Sequence, residues 1–308
     1  MDAATSRTAF AFPGAGIQAS GYESAFLERH AGVMGPFLGG ASIRVDVDLS
    51  AMAGDGFEEL PELPRQVFTF AFGVGMAEAL RGRGAAPLAM AGHSLGVYAA
   101  AVAAGAVGFD DGLTLVEVAW RAATAACAGL GVGMAAIVGL PEAEVAGLPG
   151  VDGDDVRIVL VNAPGSVVLA GPVEGIGVAI RAAEAAGAAR IAWLDREVAY
   201  HHPRYMSAAA AELRDAVPGC RWKDPWVPLV STIDGQLMRH GDDVRAFVAA
   251  NLCTLIEWPR AIATFVTLGA DTVVECGPGL TLTRMARFQE PELRWQNVRR
   301  LVKGDERA

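Results

Sequence analysis

A strand, turn and helix around one glycine-flanked serine constrain the fold of this chain more than any other feature. The apolar run at residues 88–91 predicts a short buried strand, and the alanine-rich run at residues 95–106 predicts a buried helix. Between them stands Gly92-His93-Ser94-Leu95-Gly96, which matches the pattern G-x-S-x-G. Because glycine permits a very tight turn, this arrangement pushes the hydroxyl of Ser94 outward at the end of a strand.

Short strands and helices alternate along the rest of the chain, as in an α/β fold. Residues 129–195 differ, because their pattern reads strand, helix, strand, strand, helix, strand, which is the ferredoxin-like unit. We therefore predict an α/β-hydrolase-like large subdomain from residues 1–128 and 196–308, and a ferredoxin-like α+β small subdomain from residues 129–195. Such an insertion places a cleft between two lobes, where ligands commonly bind.

Composition narrows the classes of function. The 308 residues carry a formal net charge of −10, which disfavours binding to nucleic acid. No run approaches about 20 uncharged apolar residues, so no membrane span is predicted. The cysteines are scattered without a CxxC pair, which favours free thiols in the cytoplasm and no metal site: Cys127, Cys220, Cys253 and Cys276. A monomer is expected.

A serine nucleophile needs a neighbouring base, and the chain has five histidines. His93 adjoins the serine, so on a sharp turn its side chain should point away from the hydroxyl. His201 and His202 both follow a predicted strand, and their spacing alone does not choose between them. The remaining two, His30 and His240, are interpreted as structural.

Four further segments carry recognisable patterns. They are FPGAGIQ at 12–18, NAPGSVVLAG at 162–171, YHHP at 200–203 and ECGPG at 275–279. Together with GHSLG at 92–96, they make the chain resemble the malonyl-CoA:acyl-carrier-protein transacylases and the acyltransferase domains of polyketide synthases. The resemblance runs from Phe10 to about Met285.

The resemblance implies a catalytic set. Ser94 is the nucleophile, His201 the general base, and the backbone N–H groups of Ala15 and Leu95 the oxyanion donors. The family orients its histidine with a main-chain carbonyl, which we expect at Glu257. The other residues expected to contact substrate are His93, Asn162, Tyr200 and Gln18.

One departure from the family concerns the substrate. Malonyl-specific members hold the free carboxylate with an arginine, since a buried carboxylate requires a charged partner. In the ungapped register that position is Ala119, and Arg121 lies about 200° further around the helix. We therefore expect an acyl group without a free carboxylate: a fatty or branched monocarboxylic, aminoacyl or short peptidyl group. The alternatives are a malonyl enzyme that uses Arg121, or an editing hydrolase.

The resemblance also implies a protein partner. The acceptor would be the phosphopantetheine thiol of an acyl carrier protein in polyketide or other secondary metabolism, and the donor coenzyme A or another carrier protein. No cofactor is expected to stay bound. Because carrier proteins are acidic, five arginines are candidates to receive one: Arg204, Arg284, Arg287, Arg299 and Arg300.

Overall fold

A computed structural model describes residues 7–195, 197–286, 289 and 292–305. The larger of its two sheets has six strands, parallel except for the last, which is antiparallel to its neighbour. In spatial order these are β11 (Arg294–Gln296), β10 (Thr272–Glu275), β1 (Thr8–Phe12), β2 (Met90–Gly92), β7 (Leu229–Val230) and β8 (Leu237–Met238).

Helices surround this sheet and supply most of the core. In chain order they are α1 (Glu23–Arg29), α2 (Ala31–Val45), α3 (Glu62–Gly82), α4 (Gly96–Ala103), α5 (Phe109–Cys127), α8 (Ser207–Ala216), α9 (Gly241–Ala250), α10 (Trp258–Thr267), α11 (Thr281–Met285) and α12 (Val298–Asp305). The helix α3 is buried nearly all round, and its Phe68, Phe70 and Phe72 pack with Phe10 and Phe12 of β1. A helix that is apolar on every side must lie inside a layered fold, as this one does.

The second sheet confirms the ferredoxin-like prediction. Its order is β6 (Arg190–Asp195), β3 (Val132–Val138), β5 (Ser166–Pro172), β4 (Arg157–Ala163) and β9 (Ile256–Glu257). The helices α6 (Glu142–Ala146) and α7 (Val173–Ala185) complete the unit. The first four strands are antiparallel, whereas β9 comes from the other part of the chain and pairs parallel to β4.

Parallel strands place several loops at one edge of the large sheet. Because β1, β2, β10 and β11 run in the same direction, their carboxyl ends meet there. The loops that follow β1, β2 and β10 contain three of the five sequence motifs. Ligands of open α/β sheets bind at this edge, so the topology brings those motifs to the position where a site is expected.

Candidate active site

Ser94 stands on a strained turn between β2 and α4. Its φ is +53°, in the left-handed region that a residue other than glycine adopts only when its surroundings demand it. A Cβ on Gly92 would lie 2.2 Å from the carbonyl carbon of Gly96, and one on Gly96 would lie 2.1 Å from the carbonyl oxygen of Phe12. Both glycines are therefore required by backbone contacts, as the G-x-S-x-G pattern predicts.

His201 is the histidine that meets the serine. The distance between its Nε2 atom and Ser94 Oγ is 2.7 Å. The neighbouring His202 points elsewhere, with its Nε2 atom 3.1 Å from the carbonyl oxygen of Asp155. Among the two histidines that spacing left open, geometry therefore selects His201, in agreement with the family resemblance.

A main-chain carbonyl sets the tautomer of His201, but it is not the expected one. His201 Nδ1 lies 2.8 Å from the carbonyl oxygen of Asn251. Since a carbonyl only accepts, Nδ1 carries the proton, and Nε2 is left with the lone pair that can accept from Ser94. Asn251 also donates from Nδ2 to the carbonyl oxygen of Ser94 at 3.3 Å, so one residue holds both partners.

The expectation for Glu257 was wrong. Glu257 belongs to β9, where it pairs with Val161 of β4 and donates its N–H to the carbonyl oxygen of Thr232. Its carboxylate is paired with Arg260. The short 3-10 turn Asn251–Cys253, which follows α9, brings a carbonyl to the base six residues earlier than expected.

Burial determines the protonation of the base. His201 is 2 % exposed, and this desolvation lowers the pKa of its imidazole to about 4, against the opposing effect of the Asn251 carbonyl. The positive charge that His93 could carry lowers the pKa further. The ring is therefore neutral at physiological pH and able to take a proton from Ser94.

The two residues expected to supply oxyanion donors lie beside the serine. Ala15 and Leu95 line a cavity together with Ser94. In the described part of the chain neither N–H has a hydrogen-bond acceptor. Leu95 directly precedes α4, whose positive dipole end points toward the serine. Two free donors beside a nucleophile are the arrangement that stabilises a developing oxyanion.

The cavity beside Ser94 is small, about 30 Å³, and mostly apolar. Helices α3, α4 and α5, the turn before α8 and the turn after α9 contribute the side chains that line it away from the catalytic atoms: Gln66, Tyr98, Ala119, Trp120, Tyr200 and Leu252. None of the described residues that line it is charged. Ala119 and Tyr200 thus lie where the sequence analysis expected them.

Arg121 lies outside this cavity. Its side chain is 63 % exposed and forms an ion pair with Glu212 of α8. The helix α5 runs without a bulge from Phe109 to Cys127, so its 100° per residue carries Arg121 to the opposite side from Ala119.

Three expected substrate contacts do not reach the cavity. His93 and Asn162 bond each other instead, with His93 Nε2 2.9 Å from Asn162 Oδ1, and so link the serine turn to β4 of the small sheet. His93 also packs edge-on against Trp258, and burial lowers the pKa of its ring. Gln18 is exposed, because the chain turns at Gly16 with φ +73° and points only Ile17 inward.

Sequence reasoning missed five cavity residues: Gln66, Tyr98, Trp120, Asn251 and Leu252. A signal was present for one of them: Tyr98 is the third residue of α4, the helix that begins two residues after Ser94. The other four come from segments far away in sequence, and nothing local in their patterns distinguishes them from core residues.

The candidate carrier-binding arginines do not form one surface. Arg204 is paired with Asp155 of the small subdomain and lies over the ring of Tyr205. A separate groove of about 540 Å³ between α11 and α12 is lined by four cations: Arg284, Arg299, Arg300 and Lys303. Arg287 lies outside the described residues.

In the described ranges, no three His, Cys, Asp or Glu side chains are grouped so that they could hold a metal ion. Across those same ranges no helix combines the length and apolarity needed to cross a membrane.

The sequence matches a known protein family and a characterised relative. Residues 64–290 match the family described as acyl transferase domain. The malonyl CoA-acyl carrier protein transacylase of Escherichia coli strain K12 is 32 % identical over 284 residues, which cover 91 % of each chain.

Solved structures of two malonyltransferases have the same fold as this chain. The acyl carrier protein S-malonyltransferase from Vibrio cholerae superimposes with a TM-score of 0.86 at 28 % identity, over 95 % of this chain and 96 % of that one. A malonyl-transacylase in complex with its type II polyketide synthase acyl-carrier protein superimposes with a TM-score of 0.85, also at 28 % identity, over 98 % of this chain and 100 % of that one.

Proposed function

Because this chain belongs to the acyl transferase domain family, we propose that it transfers an acyl group through an ester on Ser94. The donor is a thioester of coenzyme A or of a carrier protein. The acceptor is the phosphopantetheine thiol of an acyl carrier protein. The observation that carries this proposal is the distance of 2.7 Å between Ser94 Oγ and His201 Nε2, with Asn251 fixing the ring from the other side.

The reaction has two halves. Ser94 Oγ attacks the thioester carbonyl while its proton passes to His201 Nε2, and the oxyanion accepts from the N–H groups of Ala15 and Leu95. The carbon–sulfur bond then breaks, and the leaving thiolate takes the proton from His201. In the second half the incoming thiol gives its proton to His201, attacks the ester, and Ser94 leaves with that proton.

The acyl group lacks a free carboxylate in this proposal. The absence of charge among the described cavity-lining residues supports it, as does Ala119 at the arginine position of malonyl-specific members. Burying a carboxylate there without a cation would be strongly unfavourable. The candidates are therefore fatty or branched monocarboxylic, aminoacyl and short peptidyl groups, used in polyketide or related secondary metabolism. The relatives are named as malonyl transacylases, so the experiment must determine which acyl group this chain accepts.

Intact-protein mass spectrometry after incubation with acyl thioesters makes that test. We expect wild type to gain a butyryl or aminoacyl adduct and no malonyl adduct, and Ser94→Ala to gain none. Loss of the nucleophile should lower turnover by on the order of 10⁴-fold. Arg121→Ala is the matched control, and its adducts should equal those of wild type.

Other outcomes are equally informative. A malonyl adduct that disappears in Arg121→Ala would replace the proposed substrate with malonyl held by that arginine. An adduct that water removes faster than a carrier thiol does would make the protein an editing hydrolase. No adduct from any thioester would contradict the covalent mechanism itself.

A further inference from the structure

A buried carboxylate at the start of α1 ties together two loops beside the site. Glu23, the first residue of that helix, is 1 % exposed. Its Oε1 atom accepts from the N–H and the hydroxyl of Ser20 at 2.8 and 2.7 Å, and its Oε2 atom accepts from the N–H groups of Gly21 and Tyr22 at 2.9 and 3.0 Å. A fifth donor, the N–H of Gly279, lies 2.9 Å from Oε1. Because a buried polar group must be hydrogen-bonded, these five donors account for the burial of the carboxylate.

The bond to Gly279 joins segments that are 256 positions apart in the chain. Residues 20–22 follow the FPGAGIQ segment (12–18), which begins at the last residue of β1. Gly279 ends the ECGPG segment (275–279), which begins at the last residue of β10. Since β1 and β10 are neighbouring parallel strands, both segments leave the sheet at the same edge. Glu23 therefore fixes the distance between them.

The two segments pack against each other without room for a side chain at two positions. A Cβ on Gly277 would lie 2.4 Å from Cγ of Pro13. A Cβ on Gly279 would lie 2.5 Å from the carbonyl oxygen of Gln18. Non-bonded heavy atoms are most favourable at about 3.5–4.0 Å, so both contacts are possible only for glycine. The ECGPG segment therefore touches the FPGAGIQ segment near both of its ends, and a shift of one segment must move the other.

Ala15 lies between these two contacts. Its neighbour Gly14 packs on the serine turn, where a Cβ would lie 3.0 Å from the carbonyl oxygen of His93 and 3.3 Å from Cβ of Ser94. The FPGAGIQ segment is thus held by the serine turn on one side and by the ECGPG segment on the other. Ala15 itself lines the cavity with Ser94. Because a group that stabilises a transition state must be held to within about 0.5 Å, the action of the Ala15 N–H depends on both supports.

We infer that Glu23 is a positioning residue for the oxyanion donor of Ala15. This inference rests on the proposed acyl transfer through Ser94 and adds a residue that does not line the cavity and whose carboxylate bonds none of the reacting atoms. Glu23 acts through the bond to Gly279, which keeps the ECGPG segment against Gln18. Weakening that bond lets the two segments separate and displaces the Ala15 N–H. The barrier to tetrahedral addition then rises, although no contact to the substrate has been removed.

A pair of ketones separates stabilisation of the oxyanion from binding. Trifluoroacetonyl-pantetheine carries an electrophilic ketone: Ser94 Oγ bonds to its carbonyl carbon, the serine proton passes to His201 Nε2, and the carbonyl oxygen becomes an anion while no group leaves. Acetonyl-pantetheine has the same chain but a ketone too weakly electrophilic to be attacked, so it reports binding alone. The measured quantity is the inhibition constant of the acetonyl compound divided by that of the trifluoroacetonyl compound, which reports how well the protein stabilises the anion.

The variant Glu23→Gln keeps the size of the side chain but places an NH2 group, which only donates, opposite backbone N–H groups. We expect the ratio to fall about tenfold, since complete loss of an oxyanion donor costs about 10²–10³-fold. Ser20→Ala removes only the hydroxyl bond to Glu23, and its ratio should fall about threefold. Asp152→Asn is the matched control, because Asp152 also accepts from backbone N–H groups but in a loop of the small subdomain. Its ratio should equal that of wild type.

Failure of this inference can be told from failure of the proposed function. An unchanged ratio in Glu23→Gln, whatever its free energy of unfolding, would make the five bonds purely structural, and an equal fall in Asp152→Asn would make the effect unspecific. Both results overturn the inference while acyl transfer stands. If Glu23→Gln does not fold, Ser20→Ala decides, and an unchanged ratio there overturns the inference. If wild type binds both ketones equally and gains no adduct on Ser94, the proposed nucleophile fails and the inference fails with it.

Discussion

Catalysis depends on single residues whose properties come from their surroundings. His201 is ordinary in sequence, yet it is buried between the serine turn and the Asn251 carbonyl and so holds a proton weakly. A weakly basic imidazole gives up a proton readily to a leaving thiolate and stays neutral over the physiological range. The lowered pKa follows from burial first, and it suits the role of base that we propose for His201.

The pH dependence of acylation tests this protonation state. Because the pKa of His201 is lowered to about 4, the neutral base predominates above that pH. We expect kcat/KM for a small thioester to rise as pH increases through about 4 and to be level from about pH 5.5 to 7.5. Measuring initial acylation rates by rapid quench avoids unfolding at low pH. A rise centred near 6.5 would instead indicate a histidine that is as hydrated as a free one.

At the scale of secondary-structure elements, the prediction succeeded where a pattern was local and complete. The strand predicted at 88–91, the helix predicted at 95–106 and the G-x-S-x-G turn between them correspond to β2, α4 and the turn at Ser94. The helix α2 was missed, because Gly35, Pro36, Gly39 and Gly40 interrupt its pattern. Its helical state comes from packing against α3, a contact that no local signal reports.

The glycines of the serine turn give a prediction at this scale. Gly96→Ala places a Cβ 2.1 Å from the carbonyl oxygen of Phe12, so β1 or α4 must move. We expect the free energy of unfolding to fall by about 2 kcal/mol or more, measured by chemical denaturation, with loss of acylation. Gly39→Ala is the control, since Gly39 is an exposed position of α2 and an added Cβ would have no neighbour within 4 Å. The free energy of unfolding of Gly39→Ala should rise by about 0.5–1 kcal/mol. Equal effects of the two would contradict the close-packing argument.

At the scale of the whole molecule, the direction of the strands sets how far the basic groove lies from Ser94. The basic groove follows β10 and β11, while Ser94 follows β2, and all three strands end at the same edge of the sheet. Neighbouring strands are spaced by about 4.8 Å, so two or three strand spacings, about 10–15 Å, separate the groove from the nucleophile across the sheet. In the groove, Arg299 and Lys303 both lie over the ring of Tyr22.

Charge reversal in this groove tests carrier docking. The double variant Arg299→Glu, Arg300→Glu should raise KM for an acidic carrier protein about tenfold relative to KM for a small thioester, and less so at high salt. Arg245→Glu on α9 is the control for a charge reversal outside the groove. A parallel rise in both KM values would make the groove structural, which the bond from Arg300 to the Trp295 carbonyl oxygen could cause. If Arg204→Glu alone weakens the carrier, docking is at the small subdomain.

By itself, the sequence indicated Ser94 as the candidate nucleophile, the turn that holds it and the ferredoxin-like unit, because each follows from patterns of residues close in the chain. The turn that presents Ser94 requires only the flanking glycines, one strand and one helix. The tertiary structure alone decided that Asn251 rather than Glu257 orients the base, and that Gln66, Tyr98 and Trp120 enclose the acyl cavity. Those relations join residues that are distant in sequence, and such contacts depend on how the layers pack, which short-range patterns do not encode.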